Sequence, residues 1–161
     1  MLRLSEDEVL KGSLLITLYE NLRWKTISPQ GFRDEMLAYL PNESNSLLFS
    51  MALSYLGDCQ RIFPSDSRPL EEALWRIVTT NPVSQHRLQA FRLYRSIADS
   101  EEAVQRLYTL WQERKAPKDC ALSESDYIGL SYILAIHLPE KADKIIATQL
   151  SRIQNPDRKK E

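Results

Sequence analysis

The sequence is poor in the residues from which most catalytic sites are built: it has two histidines, two cysteines and four glycines. Each shortage excludes a class of chemistry. Loops that cradle phosphate need glycine where the backbone closes on the ligand. Gly12, Gly57 and Gly129 lie instead inside helical patterns, and Gly31 in a first turn, so neither a P-loop nor a dinucleotide fingerprint is present. A glycine inside a helix costs about 1 kcal/mol relative to alanine, which predicts close helix contacts at these positions. His86 and His137 have neither the H-E-x-x-H spacing nor a cysteine pair nearby, so no zinc site is expected within the chain. A serine or cysteine nucleophile would need one of these histidines beside it, and Ser5, Ser28 and Ser123 are read as helix caps. The pairs Glu71–Glu72 and Glu101–Glu102 fall in first turns and His137 at a helix end, where each suits the helix dipole. No catalytic, cofactor-binding or metal-ligating residue is therefore assigned.

Cys59 and Cys120 are too few for a disulfide framework and are read as free thiols, with a bridge between them as the alternative. No stretch approaches the roughly 18 uninterrupted apolar residues that span a bilayer, so no membrane partner is expected. Charge of one sign is also missing. The 21 basic and 22 acidic residues leave a net charge of -1, without the basic excess that a nucleic-acid binder shows. One local cluster stands out, Arg87, Arg92 and Arg95 on the fifth helix. It reads as a solvated face, or else as a contact for a carboxylate or an acidic peptide.

What is present is helical periodicity. Hydrophobic residues make up 43% of the 161 residues, enough for a core at this length. All eight prolines, Pro29, Pro41, Pro64, Pro69, Pro82, Pro117, Pro139 and Pro156, fall between apolar-periodic segments. Proline lacks the backbone donor and clashes with the preceding turn, so these positions mark joints. A first helix is expected from a Ser5/Glu8 capping box to about Lys25, striped by Leu15, Leu18, Tyr19 and Leu22. Leu10, Leu14 and Ile16 widen the stripe, which predicts burial on more than one side. Ser28-Pro29 starts a second helix carrying Phe32, Met36, Leu37 and Leu40, which Pro41 ends. The third, from about Asn45 to Phe63, keeps Leu48, Met51, Ala52, Tyr55, Leu56, Cys59, Ile62 and Phe63 to one face.

A fourth helix follows Pro69 with Leu70, Leu74, Trp75 and Val78. Asn81-Pro82 caps a fifth, with Leu88, Phe91, Tyr94, Ile97 and Ala98 inward. Asp99 and Glu102 read as the capping box of a sixth helix, which presents Val104, Leu107, Tyr108 and Trp111. The polar link from Arg114 to Ala121 is the expected site of mobility. Ser123 and Asp126 start a seventh helix that is apolar almost all round and should lie centrally. Pro139 opens an eighth with Ala142, Ile145, Ile146, Leu150 and Ile153 inward. Of the three tryptophans, Trp75 and Trp111 read as packing residues, and Trp24 as lining a surface.

Taken in pairs, the first members recur at about 39, 37 and 42 residues. HEAT and armadillo repeats run at roughly 40–47 residues, and tetratricopeptide repeats at about 34 with a signature absent here. The fold predicted is all-α, an irregular α-solenoid of about eight helices in antiparallel hairpins, HEAT- or armadillo-like, without strands. Residues 1–161 are read as one helical-repeat domain. Asn155-Pro156-Asp157 has the form of another helix start, so the chain is expected to be a piece of a longer protein.

Four stretches carry a family resemblance: Ser13-Leu14-Leu15-Ile16-Thr17-Leu18-Tyr19-Glu20-Asn21-Leu22, Ser28-Pro29, Asp99-Ser100-Glu101-Glu102-Ala103, and Leu122 onward to Asp157-Arg158-Lys159. Within the last, Leu138-Pro139-Glu140-Lys141-Ala142 and Leu150 to Arg158 are the most diagnostic. Together they resemble the C-terminal helical domain of aminopeptidase N family zinc metallopeptidases, of the kind found in gut anaerobic bacteria. The resemblance implies a curved solenoid that forms a wall or lid over the catalytic chamber of its parent and limits peptide access. Zinc, the H-E-x-x-H helix and the G-x-M-E-N motif would belong to the parent's catalytic domain, and none of these motifs occurs here. The implied partners are that catalytic domain and a peptide substrate, in the cytoplasm or periplasm of a bacterium. Self-association of the separated piece is also expected. The alternative is a freestanding helical-repeat adaptor that binds a partner in its groove.

Overall fold

Every joint marked by a proline within residues 7–155, the residues that the computed structural model describes, separates two helices or a helix from a single 3-10 turn. Eight α-helices run in chain order: α1 Glu8–Arg23, α2 Pro29–Tyr39, α3 Ser46–Ile62, α4 Arg68–Thr80, α5 Ser84–Ile97, α6 Glu101–Glu113, α7 Glu124–His137 and α8 Ala142–Arg152. Among the described residues there is no strand, so the all-α expectation holds. Single 3-10 turns at Leu40–Asn42 and Pro139–Lys141 take up Pro41 and Pro139, whose missing N–H a tight turn tolerates. The first, third, fifth and seventh helices begin 38, 38 and 40 residues apart, a more even period than the apolar pattern suggests.

The caps explain where the helices start. Asp7 accepts from the N–H groups of Val9 and Leu10 at 2.9 and 3.1 Å and caps α1; Ser5, expected in that role, lies outside the described residues. Ser28, Asn45 and Ser123 cap α2, α3 and α7, and Ser123 forms the reciprocal capping box with Asp126. At α6 the cap is Ser100, accepting from Ala103 N at 3.1 Å, and not Asp99. α1 closes in a Schellman arrangement. Thr26 N bonds Asn21 O at 2.9 Å and Lys25 N bonds Leu22 O at 3.0 Å, with Lys25 left-handed at φ 59°.

Packing divides the chain into two compact units between Ile97 and Ala98. In the first, α1, α3 and α5 lie side by side in that order, with α2 against α1 and α3 and α4 against α5. This side-by-side order of first members is that of stacked hairpins. Its core is Leu15, Leu22, Phe32, Met36, Phe49, Leu56, Leu74, Phe91 and Tyr94, all without exposure. In the second unit α7 packs on both α6 and α8, with Leu107, Trp111, Leu130, Leu134 and Ile145 between them. A polar key closes that core: Trp111 Nε1 donates to Gln149 Oε1 at 2.9 Å, and Arg152 donates to Trp111 O at 3.0 Å while lying over its ring.

Three buried faces differ from those expected. α3 has neighbours on several sides, so Phe49 and Leu53 are buried as well, while Ile62 near its end is exposed. α1 is the reverse case. Only Leu15 and Leu22 are buried, and Leu10 and Ile16 face solvent because α2 and α3 cover one flank. On α8 Gln149 is buried and Leu150 exposed, since the bond to Trp111 turns the helix toward its polar residue. α7 lies between its neighbours as expected but leaves Tyr132 and Ile136 open. Cys59 and Cys120 are buried free thiols.

The glycines separate by their surroundings. A Cβ on Gly57 would lie 2.9 Å from Leu93 Cδ1, so α3 and α5 meet closely there, whereas one on Gly12 would sit an ordinary 3.5 Å from Leu48 Cδ2. Gly12→Ala should therefore raise stability by about 1 kcal/mol. Gly57→Val should lower it by about 1–3 kcal/mol through overpacking. Urea unfolding of the two variants checks both, and a destabilised Gly12→Ala would contradict the α1–α3 spacing.

Candidate functional site

Ionisable and polar side chains from several elements of the first unit meet where α2 ends. Pro41 converts the last turn of α2 to 3-10 geometry, and Glu43 follows in an extended conformation with its side chain only 1% exposed. Three donors from three elements meet this carboxylate. Tyr39 at the end of α2 donates its hydroxyl to Oε2 in a very short contact, Asn45 donates its backbone N–H to Oε1 at 2.6 Å, and Lys11 of α1 brings Nζ to 3.4 Å. Asn45 in turn caps α3 through Leu47 N and Leu48 N. One residue on, Ser46 Oγ lies 3.1 Å from Nε2 of His86 on α5, whose ring stacks on Phe49 at 3.9 Å and 4°. A polar row thus runs from α1 to α5 through the joint.

Electrostatics follow from this enclosure. Burial alone would raise the Glu43 carboxyl, but the bonds from Tyr39 and Asn45 and the Lys11 ammonium outweigh it and hold the group below its ordinary value. Burial, and then the hydrogen bond to Glu43, drives the Tyr39 phenol upward. His86 is lowered by burial, with the Glu43 charge opposing. The Ser46–His86 contact is of the kind a nucleophile requires, yet His86 is fully buried, its Nδ1 has no partner, and Glu43 is bonded elsewhere. The arrangement positions helices; it does not present an attacking oxygen to a substrate. Sequence reasoning missed it because Ser46 and His86 are 40 residues apart.

The arginines do not form one patch. At about 100° per residue, Arg92 and Arg95 lie near each other on α5 and Arg87 lies some way round. Arg87 is occupied at the α4–α5 joint, where Nε donates to Asn81 O. Arg92 is exposed and Arg95 half-buried. Among the described residues no group of three or more His, Cys, Asp or Glu is placed to hold a metal, and no helix is long and apolar enough to cross a membrane.

Two surface grooves lie apart from the polar row. Between α1 and α2 a groove of about 630 Å³ is lined by Leu14, Leu18, Ile27, Phe32 and Glu35. Leu10, exposed, extends the apolar surface on this side of α1; Val9 and Ile16 are exposed on its opposite side, and Trp24 at its end is 77% exposed. Between α3 and α5 a second groove of about 470 Å³ is more polar, with Ser54, Asp58, Gln60 and Arg61 at its edge.

Comparison with known proteins finds no family model that matches this chain, and no curated protein or solved structure similar to it.

Removing a buried, multiply bonded carboxylate strands its donors. Glu43→Ala should cost about 3 kcal/mol, and Glu43→Gln less, because the amide still accepts from Tyr39 or Asn45. The folded carboxyl titrates below its unfolded value, so its contribution is whole above about pH 4.5 and is lost as pH falls through the folded value. Chemical unfolding of Glu43→Gln between pH 3 and 7 should show that part of the acid dependence removed; an unchanged acid limb would contradict the arrangement.

Proposed function

We propose that this chain is a non-catalytic helical domain of a zinc aminopeptidase, a wall or lid beside the chamber in which the parent removes N-terminal residues from peptides. The reading begins from the family resemblance of the chain, and one structural observation carries it further. Apolar side chains of α1 stand open, Leu10 on the side of the apolar α1–α2 groove and Val9 and Ile16 on the opposite side of the helix, while Glu43 and His86 are buried. A chain that exposes apolar surface and buries its titratable groups is suited to contact and not to chemistry. Surfaces that stay permanently covered by another part of the same assembly are the more apolar ones. The α1 face would then meet the catalytic domain of the same polypeptide, which would hold the zinc.

In such a parent the helical domain excludes water and bulky substrates from the chamber and lines the path of the peptide. Arg92 and Arg95, with Arg87 at the edge, would meet the distal part of a long peptide. A second reading, a freestanding helical-repeat adaptor, draws on the same groove, whose volume lies within the range of small-ligand and peptide pockets. It leaves the exposed Val9 and Trp24 beyond the groove without a role.

The test is hydrolysis of a panel of aminoacyl chromogenic amides, with added zinc, by this chain and by the longer reading frame that contains it. Activity in the longer protein alone is expected. Activity in this chain would overturn the non-catalytic assignment, and silence in both would favour the adaptor. In the active parent, Arg92→Ala with Arg95→Ala should raise KM for long peptides and leave short amides unchanged; an unaltered KM would remove the arginines from the path.

A further inference from the structure

At the N-terminal ends of the two helices, the α3–α5 contact is closed by one imidazole. His86 projects from the first turn of α5 with no exposure, its ring face on Phe49 and its Nε2 at Ser46 Oγ, the residue that opens α3. Its second nitrogen, Nδ1, is buried and has no partner. A neutral ring accommodates this with one unmet acceptor or donor. A protonated ring does not: both nitrogens must donate, and a positive charge enters the core.

We propose that His86 makes the α3–α5 contact an acid-sensitive latch: it is closed while the imidazole is neutral, and protonation opens it, freeing the α3 N-terminus from α5.

The surroundings decide whether a charged ring could be held in place. From α3 the ring meets Ser46, a neutral hydroxyl, and Phe49. The nearby acid is Glu43, in the link before α3, and both its oxygens are already taken by Tyr39 of α2, Asn45 N and Lys11 of α1. Glu43 is the charged group that acts on the ring, opposing the effect of burial; Glu71 of α4 is buried as well, and Arg87 follows His86 on α5. One turn along α5, Gln89 Oε1 is also buried without a partner, and no bond joins it to Nδ1. The charge therefore enters without a directly bonded counter-ion, and burial outweighs the Glu43 charge and lowers the folded pKa in agreement with the geometry.

The sign follows. The folded ring binds its proton less readily than the unfolded one, so the latch is at full strength above about pH 6.5 and weakens as pH falls from there toward the folded pKa. One proton is involved, which sets the slope at about tenfold per pH unit in the opening equilibrium. This window opens at a higher pH than that of Glu43, so as pH falls the loss at His86 begins first.

The test is native-state hydrogen exchange on the whole chain between pH 7.5 and 5, corrected for the intrinsic exchange rate. It is read at the amides of α5 and the first turn of α3, beside an NMR titration of the imidazole protons. The expected result is a loss of protection in those two segments approaching tenfold per unit below pH 6.5, with His86 titrating below the usual histidine value and His137→Gln leaving the profile unchanged. His86→Phe, which keeps the stack and has no proton to gain, should flatten it. Protection that does not change between pH 7.5 and 5, or a His86 that titrates at or above 6.5 because Gln89 turns to accept from Nδ1, would overturn the latch. Both of these readouts come from the unsubstituted protein, so the proposal stands or falls even where His86→Phe does not fold.

Discussion

The buried carboxylate of Glu43 is the constraint from which the first unit is assembled. An acid at 1% side-chain exposure is tolerated only if its charge is met, and here it is met by three elements at once: α1 through Lys11, α2 through Tyr39, and the start of α3 through the Asn45 amide. Hydrophobic burial brings these helices together without fixing their register, since apolar contacts are not directional. The carboxylate supplies the direction. It sets where α2 stops, where α3 starts and how α1 lies above the joint. Through Asn45 and Ser46 the same joint places the residue that His86 reaches from α5.

The second unit uses the same economy with neutral groups. Trp111 and Gln149 exchange one hydrogen bond inside the core, and Arg152 caps the arrangement from the backbone of α6. Each unit thus has an apolar core, where no single contact is specific, and one polar key that makes the packing unique. The function proposed for the chain follows from where such keys are not. α1 shows solvent the apolar Val9, Leu10 and Ile16 among the polar Ser13, Thr17 and Glu20, and its apolar side chains gain stability only when something covers them.

Much of this was legible in the residues. The eight helices, their proline joints, the caps at Ser28 and Ser123 and the start of α3 near Asn45 were readable because a cap or a proline acts within three or four residues of itself. The misread positions share a different cause. Asp99 and Ser100 are adjacent capping types, and the choice between them depends on which one has the extended backbone of a cap. Leu10 and Ile16 are as apolar as Leu15, and periodicity alone does not say which of them a neighbour covers. Phe49, Leu53 and Gln149 are buried by partners far along the chain.

The sequence by itself determined that this chain is helical, to within a few residues where its helices begin and end, and that it carries no catalytic motif, because those properties depend on local backbone chemistry and on short spacings. Only the tertiary structure decided that Lys11, Tyr39, Glu43, Ser46 and His86 share one polar row, that α1 leaves Val9, Leu10 and Ile16 open, and that a histidine with no motif around it closes the N-terminal contact of α3 with α5. The physical reason is separation. A carboxylate and an ammonium 32 residues apart, or a hydroxyl and an imidazole 40 apart, leave no periodic trace, and they become partners only when burial removes water as the alternative.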